Sequence, residues 1–203
     1  MRVIPTLYRN DWYLGGMITD QPFNKYAAEV IGGSKLWTPR RKWDGVAMLY
    51  SQNGTWFRRQ RLKHGAPEPA DFTETYASSR RHSDGKPNVR FGWTAPDGNV
   101  LASLRQAILV DVPELVPGET YELCGPGICG NKEQLRVPRL IRHATAEVCE
   151  DLAGKELEFQ GVRRYFKTTL ASRGWEGIVW WRDVQPCRYP LLLKLRVADF
   201  QPV

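Results

Sequence analysis

The chain has 203 residues, 42% hydrophobic and 25% charged, enough for one well-buried core, and it reads as a single domain over residues 1–203. A formal net charge of +7 and a pI of about 9.4 favour a polyanionic partner such as nucleic acid. The four cysteines, Cys124, Cys129, Cys149 and Cys187, lack Cys-x-x-Cys spacing and the three histidines lie far apart, which argues against a zinc site. The opening residues Met1 to Pro5 carry no apolar signal core, and no run approaches the roughly 18 apolar residues that span a bilayer. A reducing, cytoplasmic setting with free thiols and no membrane partner is expected.

In chain order, basic residues gather first at Arg40, Arg41 and Lys42, and the tetrapeptide Lys42-Trp43-Asp44-Gly45 stands at the entrance to a hairpin. Two strand-like runs, residues 46–50 and 55–61, flank Asn53-Gly54, a strong hairpin signal. A two-residue turn pairs Tyr50 with Phe57 and Met48 with Arg59. The period of two then places Val46, Met48, Tyr50, Phe57, Arg59 and Arg61 on one face, with Asp44 and Lys42 added by extension and Arg58 on the other. A bulge at Gly45 reverses that parity.

Residues 64–99, rich in Gly, Pro, Ser and Asp, predict a long surface excursion around a short strand at 89–93. A helix follows at 101–109, then a strand at 120–123 that ends in Gly125-Pro126-Gly127. Two helices are expected at 145–152 and 159–171, and two strands at 177–181 and 191–197. The fold class is α+β with antiparallel sheets.

A lysine amine attacks phosphorus only when unprotonated, and an ordinary pKa of about 10.4 leaves it roughly a thousandfold short at neutral pH. Neighbouring Arg40, Arg41 and Lys194, a bound divalent metal and partial burial by Trp43 would all depress the pKa of Lys42. Glu176 is expected on one strand face with Ile178 and Trp180, and Lys194 with Arg196 on a face of the next strand. A carboxylate and two cations on adjacent strands suit a metal-bridged polyphosphate; a Glu176–Lys194 salt bridge is the plainer alternative. Glu122 precedes a glycine-rich loop where backbone can approach a sugar.

Together these pieces resemble the motifs of the lysine-dependent nucleotidyltransferases. Lys42-Trp43-Asp44-Gly45 resembles motif I, Arg59 motif Ia, Tyr121 to Gly127 motif III, Glu176-Gly177-Ile178-Val179 motif IV and Leu193-Lys194-Leu195-Arg196 motif V. The chain is most similar to the small 5′-to-3′ RNA ligases of the RNA ligase 1 type, which are little more than an adenylylation domain. That resemblance implies antiparallel sheets flanked by helices with the nucleotide in a cleft between them. It also implies ATP, Mg2+ or Mn2+, a covalent lysyl-AMP and the joining of RNA 5′-phosphate to 3′-hydroxyl ends in RNA repair, by a monomer. Lys42 would be the nucleophile, Arg59 would hold a phosphate and Glu122 the ribose. Glu176, with Glu122, would hold metal. Lys194 and Arg196 would take the α-phosphate, and Asp44 and the Arg41 amide or carbonyl would contact the nucleotide.

Two departures stand out. No aromatic between Gln134 and His143 matches the adenine-stacking residue of many ligases, which leaves Leu140 or His143 in that place. With motif V close to Val203, no C-terminal oligonucleotide-binding domain is expected, which would argue against the two rival enzymes, a DNA ligase and a capping guanylyltransferase. A rival of another class is a non-catalytic RNA-binding module of the same fold.

Overall fold

The computed structural model describes residues 4–11, 17–111, 114–182 and 191–200; Cys187, Met1 to Val3 and Val203 lie outside them. In chain order come β1 (Tyr8–Asp11), β2 (Met17–Pro22), α1 (Lys25–Ile31), β3 (Thr38–Lys42), β4 (Val46–Tyr50), β5 (Trp56–Lys63), β6 (Thr73–Ala77) and β7 (Val89–Thr94). Then follow α2 (Gly98–Asp111), β8 (Thr120–Cys124), β9 (Arg139–Arg142), α3 (Phe159–Tyr165), β10 (Gly177–Arg182) and β11 (Leu191–Arg196). Among the described residues the named strands pair antiparallel and helices are few, so the fold is α+β as expected. Among the described residues no helix is long and apolar enough to cross a membrane.

The chain divides into two compact units, one formed by residues 44–145 and the other by residues 4–43 together with the chain from Ala146 onward. The first is built on a six-stranded sheet of order β6-β7-β5-β4-β8-β9. Alternation sends Met48 of β4, Tyr121 and Leu123 of β8 and Leu140 of β9 to one face, where they are buried against Leu104 and Ala107 of α2. The second holds a three-stranded sheet of order β11-β10-β3. Ile178, Trp180, Leu193 and Leu195 form its buried face, packed with Phe166, Leu170 and Phe200.

The β4–β5 hairpin differs from the sequence expectation by one residue. Ser51 N donates to Thr55 O at 2.9 Å, and Gly54 N to Ser51 O at 3.0 Å, so Gln52, Asn53 and Gly54 make a three-residue loop. Gly54 sits at φ +78°, the left-handed position that closes such a loop with a one-residue bulge. The extra residue re-pairs Met48 with Arg58, Leu49 with Phe57 and Tyr50 with Trp56. Arg58 therefore shares the α2 face with Met48, and Arg59 turns to the opposite face with Leu49 and Phe57. Lys42 cannot be added to that hairpin by parity either, because β3 belongs to the other sheet.

The helix expected at 145–152 does not form. Residues 143–145 make one 3-10 turn, and the chain then runs along the edge of β3: Arg41 N donates to Glu147 O at 2.7 Å and Cys149 N to Pro39 O at 2.8 Å. Satisfying the open edge of β3 outweighs the modest helix propensity of this stretch. The helix at 159–171 does form, as α3 followed by a π-helical turn at Phe166–Leu170. Strands β1, β2, β6 and β9 and helix α1 have no counterpart in the sequence expectation.

Candidate functional site

Residue types alternate along β3, β10 and β11 so that one sheet face is apolar and the other is charged. Lys42 lies opposite Gly177, which lies opposite Arg196; Arg40 lies opposite Val179, which lies opposite Lys194. Lys42, Arg40, Lys194 and Arg196 thus share the face away from the core. Glu176 immediately precedes β10 and does not join Ile178 on the apolar face. Its carboxylate pairs with Lys42 Nζ, which also donates to Trp43 O at 3.3 Å. The salt bridge of Glu176 is therefore made with Lys42 and not with Lys194.

Each remaining cation on this face has a different environment. Arg40 donates through Nη1 to the Ala146 carbonyl at 2.8 Å. Arg196 is held by Asp199, with Nη2 2.7 Å and Nε 3.1 Å from Oδ1, which raises its pKa. Lys194 has no ion pair among the described residues. Burial, followed by the charges of Arg196 and Lys42, pulls its ammonium down to about 8. A desolvated, unpaired ammonium beside two further cations is a place where an anion lowers the energy of every neighbour.

Arg41 points to the opposite side of β3 and makes a ladder of stacked rings and guanidinium groups. Its guanidinium carbon lies 3.6 Å from the centre of the Trp43 ring and 5.0 Å from that of Trp175, and Arg173 approaches the same Trp175 ring at 5.6 Å. Arg41 Nη1 pairs with Glu147 at 3.4 Å. Because its amide already donates to Glu147, that amide is committed to β3 edge pairing and not to a nucleotide base.

Within the other unit, Asp44 pairs with Lys132 at 2.8 Å, and its amide donates to Glu133 Oε1 at 3.4 Å. Gly45 packs directly on β8: a Cβ there would stand 2.3 Å from the Leu123 carbonyl oxygen and 2.8 Å from Cys124 Sγ, so only glycine fits. This contact lets β4 pair with β8 from Val46 opposite Leu123 onward, which brings Glu122 opposite Ala47.

Glu122 and Arg59 both lie on the sheet face away from α2. His143 orients Glu122: its Nε2 is 2.8 Å from Glu122 Oε2 and its Nδ1 is 2.9 Å from Thr120 Oγ1. Arg59 lies 4.8 Å from the Phe91 ring, and its Nε and Nη2 are buried with no hydrogen-bond partner among the described residues. Burial pulls its pKa down, and Glu122 partly restores it. Two buried guanidinium donors without acceptors mark a position that an incoming anion would satisfy. Arg58, by contrast, is occupied by Thr94 and Asp97, the latter at 3.1 Å.

His143 is the functional neighbour that sequence reasoning misplaced. The sequence offers it only as a ring to stack on a base, whereas in the structure it holds the Glu122 carboxylate. Leu140, the alternative stacking residue, is buried in the α2 core opposite Leu123. Among the described residues no three His, Cys, Asp or Glu side chains gather into a metal cage. A Mg2+ shared with phosphate oxygens needs only one or two protein carboxylates, and Glu176 at the charged face suits that demand. The chain matches no protein-family model and no curated protein.

Proposed function

We propose that the protein is an ATP-dependent RNA ligase with a nucleotidyltransferase fold, and that Lys42 is its covalent nucleophile. The observation that carries this reading is the charged face of the three-stranded sheet, where the Lys42 amine is hydrogen-bonded to Glu176 and flanked by Lys194 and Arg196. An amine, an acceptor for its proton and two cations for phosphoryl oxygens are what nucleophilic attack at an α-phosphorus requires.

In the first step Lys42 Nζ bonds to the α-phosphorus of ATP, the bond to the pyrophosphate oxygen breaks, and the Nζ proton has Glu176 as its nearest acceptor. Lys194 and Arg196 neutralise the charge that develops on the α-phosphate. Within the other unit, Arg59 has two unsatisfied donors suited to a phosphate, and Glu122, fixed by His143, has a carboxylate suited to ribose hydroxyls. In the second step an RNA 5′-phosphate oxygen displaces Lys42 from the adenylyl phosphorus. A 3′-hydroxyl then attacks the 5′-phosphorus and releases AMP. A divalent cation held by Glu176 would supply further neutralisation of the triphosphate.

Incubation with ATP or GTP labelled at the α-phosphorus tests the reading. A protein-bound label from ATP alone that survives alkali and is released by acid, as a phosphoramidate is, a mass gain of one AMP and its removal by pyrophosphate are expected. Label from GTP alone would indicate a capping guanylyltransferase, and no label from either would leave a non-catalytic RNA-binding module.

A further inference from the structure

The outer half of the six-stranded sheet carries a second pattern, on the same face as Arg59 and Glu122. Along β5, Arg59, Arg61 and Lys63 alternate onto that face. Arg61 lies opposite Phe91 of β7, and Phe91 lies opposite Tyr76 of β6, with the two rings 6.2 Å apart. Arg61, Lys63 and Tyr76 are exposed. Neither Arg61 nor Lys63 makes an ion pair among the described residues, so their charge is available to solvent. The acidic side chains of this region are engaged elsewhere: Glu74 lies opposite Gly92 on the reverse face, where it and Glu68 are held by Arg90, and Asp84 pairs with His64. The carboxylates of the reverse face are thus neutralised there by Arg90, and Arg61 and Lys63 stand on the other face beside Phe91 and Tyr76 with no carboxylate paired to them among the described residues.

The geometry points to a platform for single-stranded RNA on this face, with phosphates on Arg61 and Lys63 and a base stacked on Tyr76 beside Phe91. A row of cations tracks a phosphate backbone while the neighbouring ring accepts any base face, which gives sequence-tolerant binding. Because Arg59 is the next residue on this face, the bound strand would run from the sheet edge toward the Arg59–Glu122–His143 cluster. The choice of RNA as occupant rests on the ligase reading; the charge and ring pattern does not.

Binding of a fluorescent single-stranded RNA of about 12 nucleotides, without a 5′-phosphate and without ATP, tests the platform. Arg61→Ser with Lys63→Ser should weaken binding roughly tenfold at low salt and reduce the log–log salt slope by about 1.4, the share of two single-strand phosphate contacts. Tyr76→Ala should weaken single-strand binding roughly tenfold while leaving that slope unchanged. Circular dichroism and urea unfolding report the folding of each variant, independently of any adenylylation. Unchanged single-strand affinity in both variants would overturn the platform, as would an equal loss for blunt duplex RNA or binding to phosphatidylserine vesicles in place of RNA. If the unsubstituted protein binds RNA through this face yet takes no AMP label, the ligase reading fails and the platform stands.

Discussion

Lys42 and Glu176 form an ion pair where the end of β3 meets the start of β10, with both side chains largely withdrawn from solvent at 21% and 15% exposure. The amine proposed to attack phosphorus is therefore restrained, and its restraint is a carboxylate on the same sheet. Lys42→Ala should abolish lysyl-AMP formation and, by removing the ion pair with Glu176, lower stability by about 1–3 kcal/mol. Sealing of RNA that already carries a 5′-adenylate should survive, since that step does not use the amine. Adenylylation, urea unfolding and sealing of pre-adenylated RNA check the three parts.

The adjacent arginines Arg58 and Arg59 of β5 should separate cleanly. Arg59→Ala should cost on the order of 2–4 kcal/mol in single-turnover lysyl-AMP formation, as expected for loss of a charged contact to phosphate in a dry site. Arg59→Met should leave stability unchanged or raise it, because it removes buried donors that have no acceptor. Arg58→Ala should leave adenylylation intact and reduce stability by about 0.5–1 kcal/mol through loss of its Asp97 and Thr94 contacts. Rapid-quench kinetics and unfolding curves on the three variants decide it.

Lys194 should announce an anion by taking up a proton. Its folded pKa of about 8 lies below the ordinary lysine value, so burial penalises the charged form fully below pH 8, and the penalty disappears as pH rises toward the unfolded value near 10.4. Stability attributable to this residue rises with pH across that window. Lys194→Met should be more stable than the parent at pH 7 by on the order of 2 kcal/mol, with the difference vanishing by about pH 10.5. Pyrophosphate binding at pH 8.5 should be accompanied by proton uptake in the parent and by none in Lys194→Met. Calorimetry in two buffers of different ionisation enthalpy measures this.

Glu122 should read the sugar. The parent protein should prefer ATP over 2′-deoxy-ATP by roughly 10- to 100-fold in adenylylation, the value of about 1–3 kcal/mol for a hydrogen bond to a charged acceptor. Glu122→Ala should accept both equally. His143→Ala should fall between, because the carboxylate remains but loses the imidazole that orients it. A full preference retained in Glu122→Ala would remove the ribose from this carboxylate.

Much of this was legible from periodicity and turn chemistry. The strands at 89–93, 120–123, 177–181 and 191–197 are long enough, and their alternation regular enough, to be read locally. What escaped was decided at a distance or by a single residue. Asn53-Gly54 signals a hairpin but does not say whether two or three residues make its loop. The left-handed Gly54 chose three and moved Arg59 to the face of Glu122. The stretch at 145–152 has ordinary helix propensity, but an unpaired β3 edge drew its backbone into a ladder. His143 carried no spacing signal, because its partner Glu122 lies 21 residues earlier and meets it only through β8–β9 pairing.

Arg40, Arg41 and Lys42 look in the sequence like one run of positive charge, of the sort a solvated surface tolerates in any order. In the fold, Arg40 is bound to a carbonyl, Arg41 is a flat plate between two indole rings, and Lys42 presents a compact amine to a carboxylate. A chain with residues 41 and 42 exchanged would have the same composition, the same net charge and the same hydropathy profile to within one position. It would lack both a plate that can stack and an amine that can lose its proton, since lysine is not planar and a guanidinium does not deprotonate. Order within the triplet, invisible to every bulk measure of the chain, is what separates the proposed nucleophile and its stacked neighbour from a patch of charge.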